Sequence, residues 1–236
     1  MIDINFDFQK EANYRDSDKY SPTLREYHRL LWSKELPCGD VFSLRPVRDN
    51  CLEYITPNGK KWILSSDRAV ASYVKPSVMQ PLIDEIGRDK VFEFKRLADT
   101  IGGIIIWPAK KVDGKITING HRGFSSRIAD RLDLTMECLR RYYNGQPSPL
   151  YDTFARYSDY FDLFVDFKGF VDFFLMNDYV SSDYKTCVIA EPNHYNFSKN
   201  GRPVNADEYS AYIDKTTELL RLRNLRILNY ARQYGL

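Results

Sequence analysis

The sequence predicts an α+β fold, with a β-rich N-terminal half that carries two hairpins and a mostly helical C-terminal half. Two turn signals mark the first half: Asn58-Gly59 and Asp113-Gly114 each lie between apolar, β-branched runs. Beyond residue 127 the apolar residues recur at spacings of three and four, the period of helices with one buried face. The 236 residues are 43% hydrophobic, enough for a full core, and residues 1–236 are expected to form a single globular domain.

Taken in order, Ile2, Ile4, Phe6 and Phe8 alternate with Asp3, Asn5 and Asp7, which predicts a half-buried strand. Ser21-Pro22 places an N-cap before a proline at the first helical position. The helix should run to about Glu35 with Leu24, Tyr27, Leu30 and Leu31 as its stripe, and Pro37 and Gly39 end it. Residues 51–56 and 61–65 then form a hairpin around Pro57-Asn58-Gly59. A short helix is expected after Asp67, closing before Pro76, and another over residues 82–86. Residues 102–107 and 115–118 should pair across Val112-Asp113-Gly114 as the second hairpin. Ile128, Leu132, Thr135, Leu139 and Tyr142 share a helix face that Asn144-Gly145 ends. Residues 157–176 read as a helix with Tyr160, Phe164, Phe167, Val171 and Phe174 inward and Asp159, Asp162, Asp166 and Asp172 solvated. The last helix starts at Asn205, paired with Glu208 as a cap, and buries Ile213, Leu220 and Ile227.

Composition removes several function classes. Lysine and arginine total 34 against 32 acidic residues, so a net charge of +2 gives no general attraction to polyanions. Apolar runs such as Ile104–Trp107 are too short to span a bilayer. Cys38, Cys51, Cys138 and Cys187 show no CxxC spacing, and the N-terminus lacks a signal-peptide pattern, which predicts reduced thiols in a cytoplasm. His28, His121 and His194 stand apart from the cysteines, and the spacing of Asp130, Asp133 and Glu137 is weak support for a cation, so no metal site is expected. No cofactor motif is present: Asp113-Gly-Lys-Ile-Thr117 lacks the upstream glycine of a phosphate-binding loop.

The best candidate for a site is Ile116-Thr-Ile-Asn-Gly-His-Arg-Gly-Phe-Ser-Ser-Arg127. It reads as a strand end, a tight loop and the start of a helix over residues 126–142, a junction whose N–H groups and dipole favour an anion. The plainer reading is a turn with an N-cap and a solvated arginine. Asp67-Arg68 is a second such junction, and if the two hairpins share a sheet it brings Ser66, Arg68 and Tyr73 toward Arg122. The candidate ligand-binding residues are therefore Asn119, His121, Arg122, Ser126, Arg131 and Arg68. Of the other histidines, His28 is expected at the surface or its boundary and His194 in a loop. Arg221, Arg223, Arg226 and Arg232 on the last helix give only a weak nucleic-acid signal.

Residues 117–123, the run Asp130-Arg-Leu-Asp-Leu-Thr-Met-Glu-Cys-Leu-Arg-Arg-Tyr-Tyr143 and Ser148-Pro-Leu-Tyr-Asp-Thr153 resemble a family of uncharacterised bacterial proteins of about this length. The likeness extends over most of the chain, including residues 64–67 and 161–167. Members of that family carry Gln-Ala where this chain has Gly120-His121, so the resemblance favours Asn119 and Arg122 over His121. It implies a bacterial cytoplasmic setting and no mechanism.

These readings lead to an Arg-centred pocket for a phosphate-bearing ligand, a nucleotide or RNA, with phosphoester chemistry if the protein is an enzyme. The competing expectation is a non-catalytic protein-interaction module, such as a defence or toxin–antitoxin component, working through exposed aromatic residues.

Overall fold

The computed structural model describes residues 1–47, 51–69, 76–190 and 196–236. It opens with three helices: α1 (Phe8–Glu11), α2 (Ser17–Tyr20) and α3 (Pro22–Trp32). The strand expected over residues 2–8 does not form. Asp7 instead caps α1, accepting from the Lys10 N–H at 2.8 Å, and Phe6, Phe8 and Tyr27 pack ring against ring. An alternating pattern without a neighbouring strand leaves its backbone groups unpaired, whereas a cap satisfies them locally. α3 begins as predicted, with Ser21 Oγ accepting from the Leu24 N–H at 3.1 Å and Pro22 in the first turn.

β1 (Arg45–Pro46), β2 (Leu52–Ile55), β3 (Lys61–Arg68) and β4 (Ile104–Pro108) form one antiparallel sheet in that order. β2 and β3 are the hairpin expected around Asn58-Gly59, with Tyr54 opposite Trp62 and Gly59 at φ +84°. The second expected hairpin is replaced by a long-range pairing. β4 lies against β3, Ser66 opposite Ile106 and Asp67 opposite Ile105. Asp113 and Gly114 do turn the chain at positive φ, but Thr117 then caps a helix by accepting from the Gly120 N–H, so residues 115–118 supply no strand.

Between β3 and β4 stand α4 (Pro76–Ile86), longer than the helix expected over 82–86, and α5 (Arg88–Ala98), which the sequence reading missed. Val91, Phe94 and Ala98 of α5 are buried, and their spacing was a legible helical stripe. β3 runs through Arg68, where a helix was expected to follow Asp67; residues 70–75 of that expected helix lie outside the described residues, as do Tyr73 and His194.

The C-terminal half contains α6 (Ile118–Phe124), α7 (Leu132–Tyr143), α8 (Tyr151–Arg156), α9 (Ser158–Phe161), α10 (Phe167–Phe173) and α11 (Ala206–Tyr234). The single helix expected over 157–176 is broken at Val165, whose φ is +68°, and restarts where Asp166 accepts from the Gly169 N–H at 2.7 Å. Phe164, Phe167, Val171 and Phe174 are buried as predicted, and Asp162 and Asp166 are exposed. α11 is capped by Asn205, which accepts from the Glu208 N–H at 2.8 Å, and it buries Ile213, Leu220 and Ile227. Its Arg223 is wholly buried, donating to the Gly102 and Ile104 carbonyls at 2.9 Å each and to that of Phe174 at 3.3 Å. Buried side chains from Ile2 to Ala231 join in one core cluster. Among the described residues no helix is long and apolar enough to cross a membrane.

Candidate functional site

The end of β3 organises the polar chemistry of the molecule. Side chains alternate across a strand, so Ser66 and Asp67 leave the sheet on opposite faces. Ser66 meets α2 and α3, and Asp67 meets α6.

On the first face, the His28 imidazole is almost fully buried between two partners. Trp32 Nε1–H donates to His28 Nδ1 at 3.0 Å, and His28 Nε2 lies 2.9 Å from Ser66 Oγ. An indole is a donor only, so Nδ1 must accept and Nε2 must carry the ring proton. His28 therefore donates to Ser66, whose hydroxyl sits beside the Asp18 carboxylate and acts to lower its pKa. The Ser66 N–H donates to Asp18 Oδ2 at 2.8 Å as well. Burial, with the charge of Arg223 in support, lowers the His28 pKa to about 3. Burial raises that of Asp18, although the two bonds from Ser66 oppose the shift. Serine, histidine and aspartate thus lie together, but not as a nucleophilic triad, because histidine gives serine a proton instead of taking the serine's own.

On the second face, Arg122 is fully buried. It forms ion pairs with Asp67 and, at 3.4 Å, with Asp130. Its Nε donates to Thr135 Oγ1 at 3.0 Å and its Nη2 to the carbonyls of Asp130 and Arg68, at 3.1 and 3.3 Å. Burial raises the pKa of both carboxylates, to about 7 for Asp130, where the charge of Asp67 adds to the effect and Arg122 opposes it. Arg68 pairs with Asp99 at 2.7 Å, and burial raises the Asp99 pKa to about 6. Between these networks lies a hollow of about 210 Å³ lined by Asp16, Asp18, Ser66, Asp67 and Arg68, among others.

Arg122 does reach the end of β3, where it pairs with Asp67 and donates to the Arg68 carbonyl at 3.3 Å, but Ser66 leaves the strand on the other face and the Arg68 side chain turns to Asp99. The junction is otherwise different. Residues 118–124 are helical, Ala129 and Asp130 turn the chain at positive φ, and the next helix starts at Leu132, not at residue 126. Arg122 faces carboxylates and carbonyls, where a concave ligand surface was expected. Arg131 is likewise buried: it holds Asp133 with two bonds, at 3.0 and 2.6 Å, donates to the Gly201 carbonyl at 3.1 Å, and lies over the Tyr212 ring. Burial pulls the Asp133 pKa upward, but Arg131 and the N–H groups of Ala190 and Leu134 outweigh it and hold the carboxyl below its ordinary value. Both arginines are committed to holding the fold. His121 Nδ1 bonds Thr153 Oγ1 at 2.6 Å, away from this network, and burial lowers its pKa. The Ser126 side chain is exposed while its carbonyl accepts from the Gly201 N–H, and Asn119 Oδ1 is buried with no hydrogen-bond partner among the described residues.

The sequence reading missed the roles of Asp18, His28 and Asp99. His28 is four residues after Leu24 and four before Trp32, so the helical stripe contained the signal for its burial. Asp130, three residues after Arg127 and so within reach of it on a helix, pairs instead with Arg122. Glu137 and Arg141, four residues apart on α7, pair at 2.7 Å, with Glu137 buried. On α11, Arg223 is internal and Arg226 pairs with Asp178 at 2.9 Å, which removes two of the four cations of the weak nucleic-acid signal. Among the described residues no three histidine, cysteine or acidic side chains are grouped to hold a metal ion.

The fold and this hollow define an α+β protein with a paired ionic network at the end of its central strand. A model described as a family of unknown function, DUF6994, matches residues 2–227, and the chain belongs to that family. No curated protein and no solved structure matches the chain.

Proposed function

We propose that the protein binds a small polar molecule, uncharged or cationic, in the hollow beside β3 and moves a proton on it. Asp18 and Ser66 are the groups that touch the ligand. The carrying observation is that His28 is fixed as a donor to Ser66, which leaves the Ser66 hydroxyl proton for another acceptor, while the Ser66 N–H holds beside it an Asp18 carboxylate that burial has made more basic. Arg122, paired with Asp67, holds the strand end that presents Ser66, and it positions the site without reaching the ligand.

Charge decides between this reading and the phosphate-bearing ligand suggested by the sequence. Asp16, Asp18 and Asp67 line the hollow against Arg68 alone, and Arg68 already faces Asp99. An anion entering there meets more like than opposite charge. The size suits a fragment or the tip of a larger molecule, since whole-ligand pockets run to about 300–1,000 Å³. A cytoplasmic location fits the free thiols of Cys38, Cys138 and Cys187.

Thermal-shift titration with small polyols, short diamines and inorganic phosphate tests the proposal. Stabilisation by a polyol or diamine that disappears in Asp18→Asn supports it. Stabilisation by phosphate alone, retained in Asp18→Asn, returns the anion-pocket reading and ends this one.

A further inference from the structure

A second chemically distinctive group stands just past the C-terminus of α3. The Lys34 Nζ lies over the rings of Tyr230, Phe173 and Trp32, at 4.5, 4.7 and 5.3 Å from their centroids. Those rings come from α11, α10 and α3, so the rigid core sets the position of the amine. Among the described residues Lys34 makes no ion pair. Asp172, the carboxylate that acts on it through space, is itself bonded by Lys168, Tyr184 and Asn177. The same lysine lines an open cleft of about 600 Å³ walled by Phe173, Tyr230 and Tyr234, with Glu35, Lys168 and Asp172 as its other charged groups.

We propose that Lys34 is a reactive amine that forms a reversible imine with an aldehyde or ketone seated in this cleft, the aromatic walls favouring an apolar or aromatic carbonyl compound. In the reaction the uncharged Nζ adds to the carbonyl carbon and the carbonyl oxygen takes up a proton. The carbinolamine then loses that oxygen as water to leave the carbon–nitrogen double bond. Nothing is oxidised or reduced, and water is the only leaving group.

The surroundings supply what such an amine needs. Burial pushes the ammonium down from its usual 10.5 to about 8, against the pull of Asp172. The ring faces also favour the cation, and they moderate the shift. At a pKa of about 8 roughly one-fifth of the amine is uncharged at neutral to slightly alkaline pH, against roughly one in a thousand for an ordinary lysine. Desolvated lysines in apolar pockets are the usual source of imine-forming nucleophiles. This inference concerns a different cleft from the hollow beside β3, and either can fail without the other.

The test is competitive labelling of the native protein with benzaldehyde and cyanoborohydride, followed by peptide mass spectrometry. Lys34 should be labelled at least about tenfold faster than the exposed Lys61, Lys168 and Lys185 at pH 7.4, reflecting its larger uncharged fraction. Its rate should level off above a midpoint near 8. Lys34→Arg should remove that label and leave the others. Labelling of Lys34 no faster than that of the exposed lysines, or a rate still climbing through pH 10, overturns the proposal.

Discussion

Arg122 is enclosed by two carboxylates, a hydroxyl and two carbonyls, and none of its surface reaches solvent. Removing one member of a buried ionic group leaves the others uncompensated, which typically costs about 3–5 kcal/mol. Arg122→Ala should lower stability by about that much in urea titration, and a loss below ~1 kcal/mol would return the residue to ligand-binding duty. The sequence showed an arginine in a glycine-bearing segment but not the Asp67 that reaches it from 55 positions away. Burial of a charge is set by such distant partners, which is why Arg122 and Arg223 were misjudged, and why Arg131, though its carboxylate is the nearby Asp133, was not seen to be closed in by Gly201 and Tyr212. Asp130 yields a pH prediction. Its folded pKa of about 7 lies above the ordinary 3.8, so the folded state keeps a proton that the unfolded chain has released. Its contribution is present below 3.8 and is lost as pH rises toward about 7. His28, held neutral down to about 3, acts with the opposite sign below 6.5, so the informative quantity is a difference between proteins. Asp130→Asn should gain stability over the parent chain as pH rises from about 4 to about 7, read from paired denaturation midpoints. A gap that stays constant over that range would mean that Asp130 is ionised throughout.

At the scale of elements, apolar spacing located most helices and failed at their ends. The stripe over residues 160–174 was legible because Phe164, Phe167, Val171 and Phe174 do point inward, yet the break at Val165 was not, since nothing in the stripe interrupts it. The signal lay in Asp166 and Gly169, a cap and the residue whose N–H it binds. Gly169 has a second reason to lack a side chain, because a Cβ there would sit 2.1 Å from the Phe164 carbonyl oxygen. Gly169→Ala must therefore move backbone, and we expect it to destabilise by more than ~1 kcal/mol, the ordinary alanine–glycine difference in a helix, with the opposite sign. A neutral or stabilising result by thermal denaturation would show that the break relaxes freely. Phe164→Ala removes a ring packed against Phe42, Tyr160, Phe170, Phe173 and Phe174. It should cost about 3–5 kcal/mol. An unchanged unfolding midpoint would mark that face as a binding surface and revive the interaction-module reading. The second hairpin failed for a different reason. A turn signal specifies a reversal, not the partner of the strand before it, and β4 found a longer partner in β3.

Across the whole molecule, the class of fold was readable from the order of patterns, while the site was readable only as fragments. Ser66, Asp67 and Arg68 are adjacent in sequence, but Asp18, Asp99 and Arg122 reach them through pairings that periodicity does not encode. α11 is the largest of these long-range ties. It spans 29 residues, about 44 Å at the standard rise, and Arg223 fastens it to the 3-10 turn at Ile101–Gly103, to β4 and to the end of α10. Arg223→Lys keeps the charge but loses the planar fork that spans three carbonyls, so we expect faster amide hydrogen exchange in β4 and α11 than in the β2–β3 hairpin. Equal exchange in all four elements would show that the fork is dispensable. That single side chain also dates the closure of the fold during translation. Ile104 is made 119 residues before the arginine that satisfies its carbonyl. At about 5–20 residues per second, the ribosome needs roughly 6–24 s to cover that distance. Throughout this interval the carbonyls of Gly102 and Ile104 lack the guanidinium that will satisfy them, so this end of β4 must stay open to water until α11 arrives.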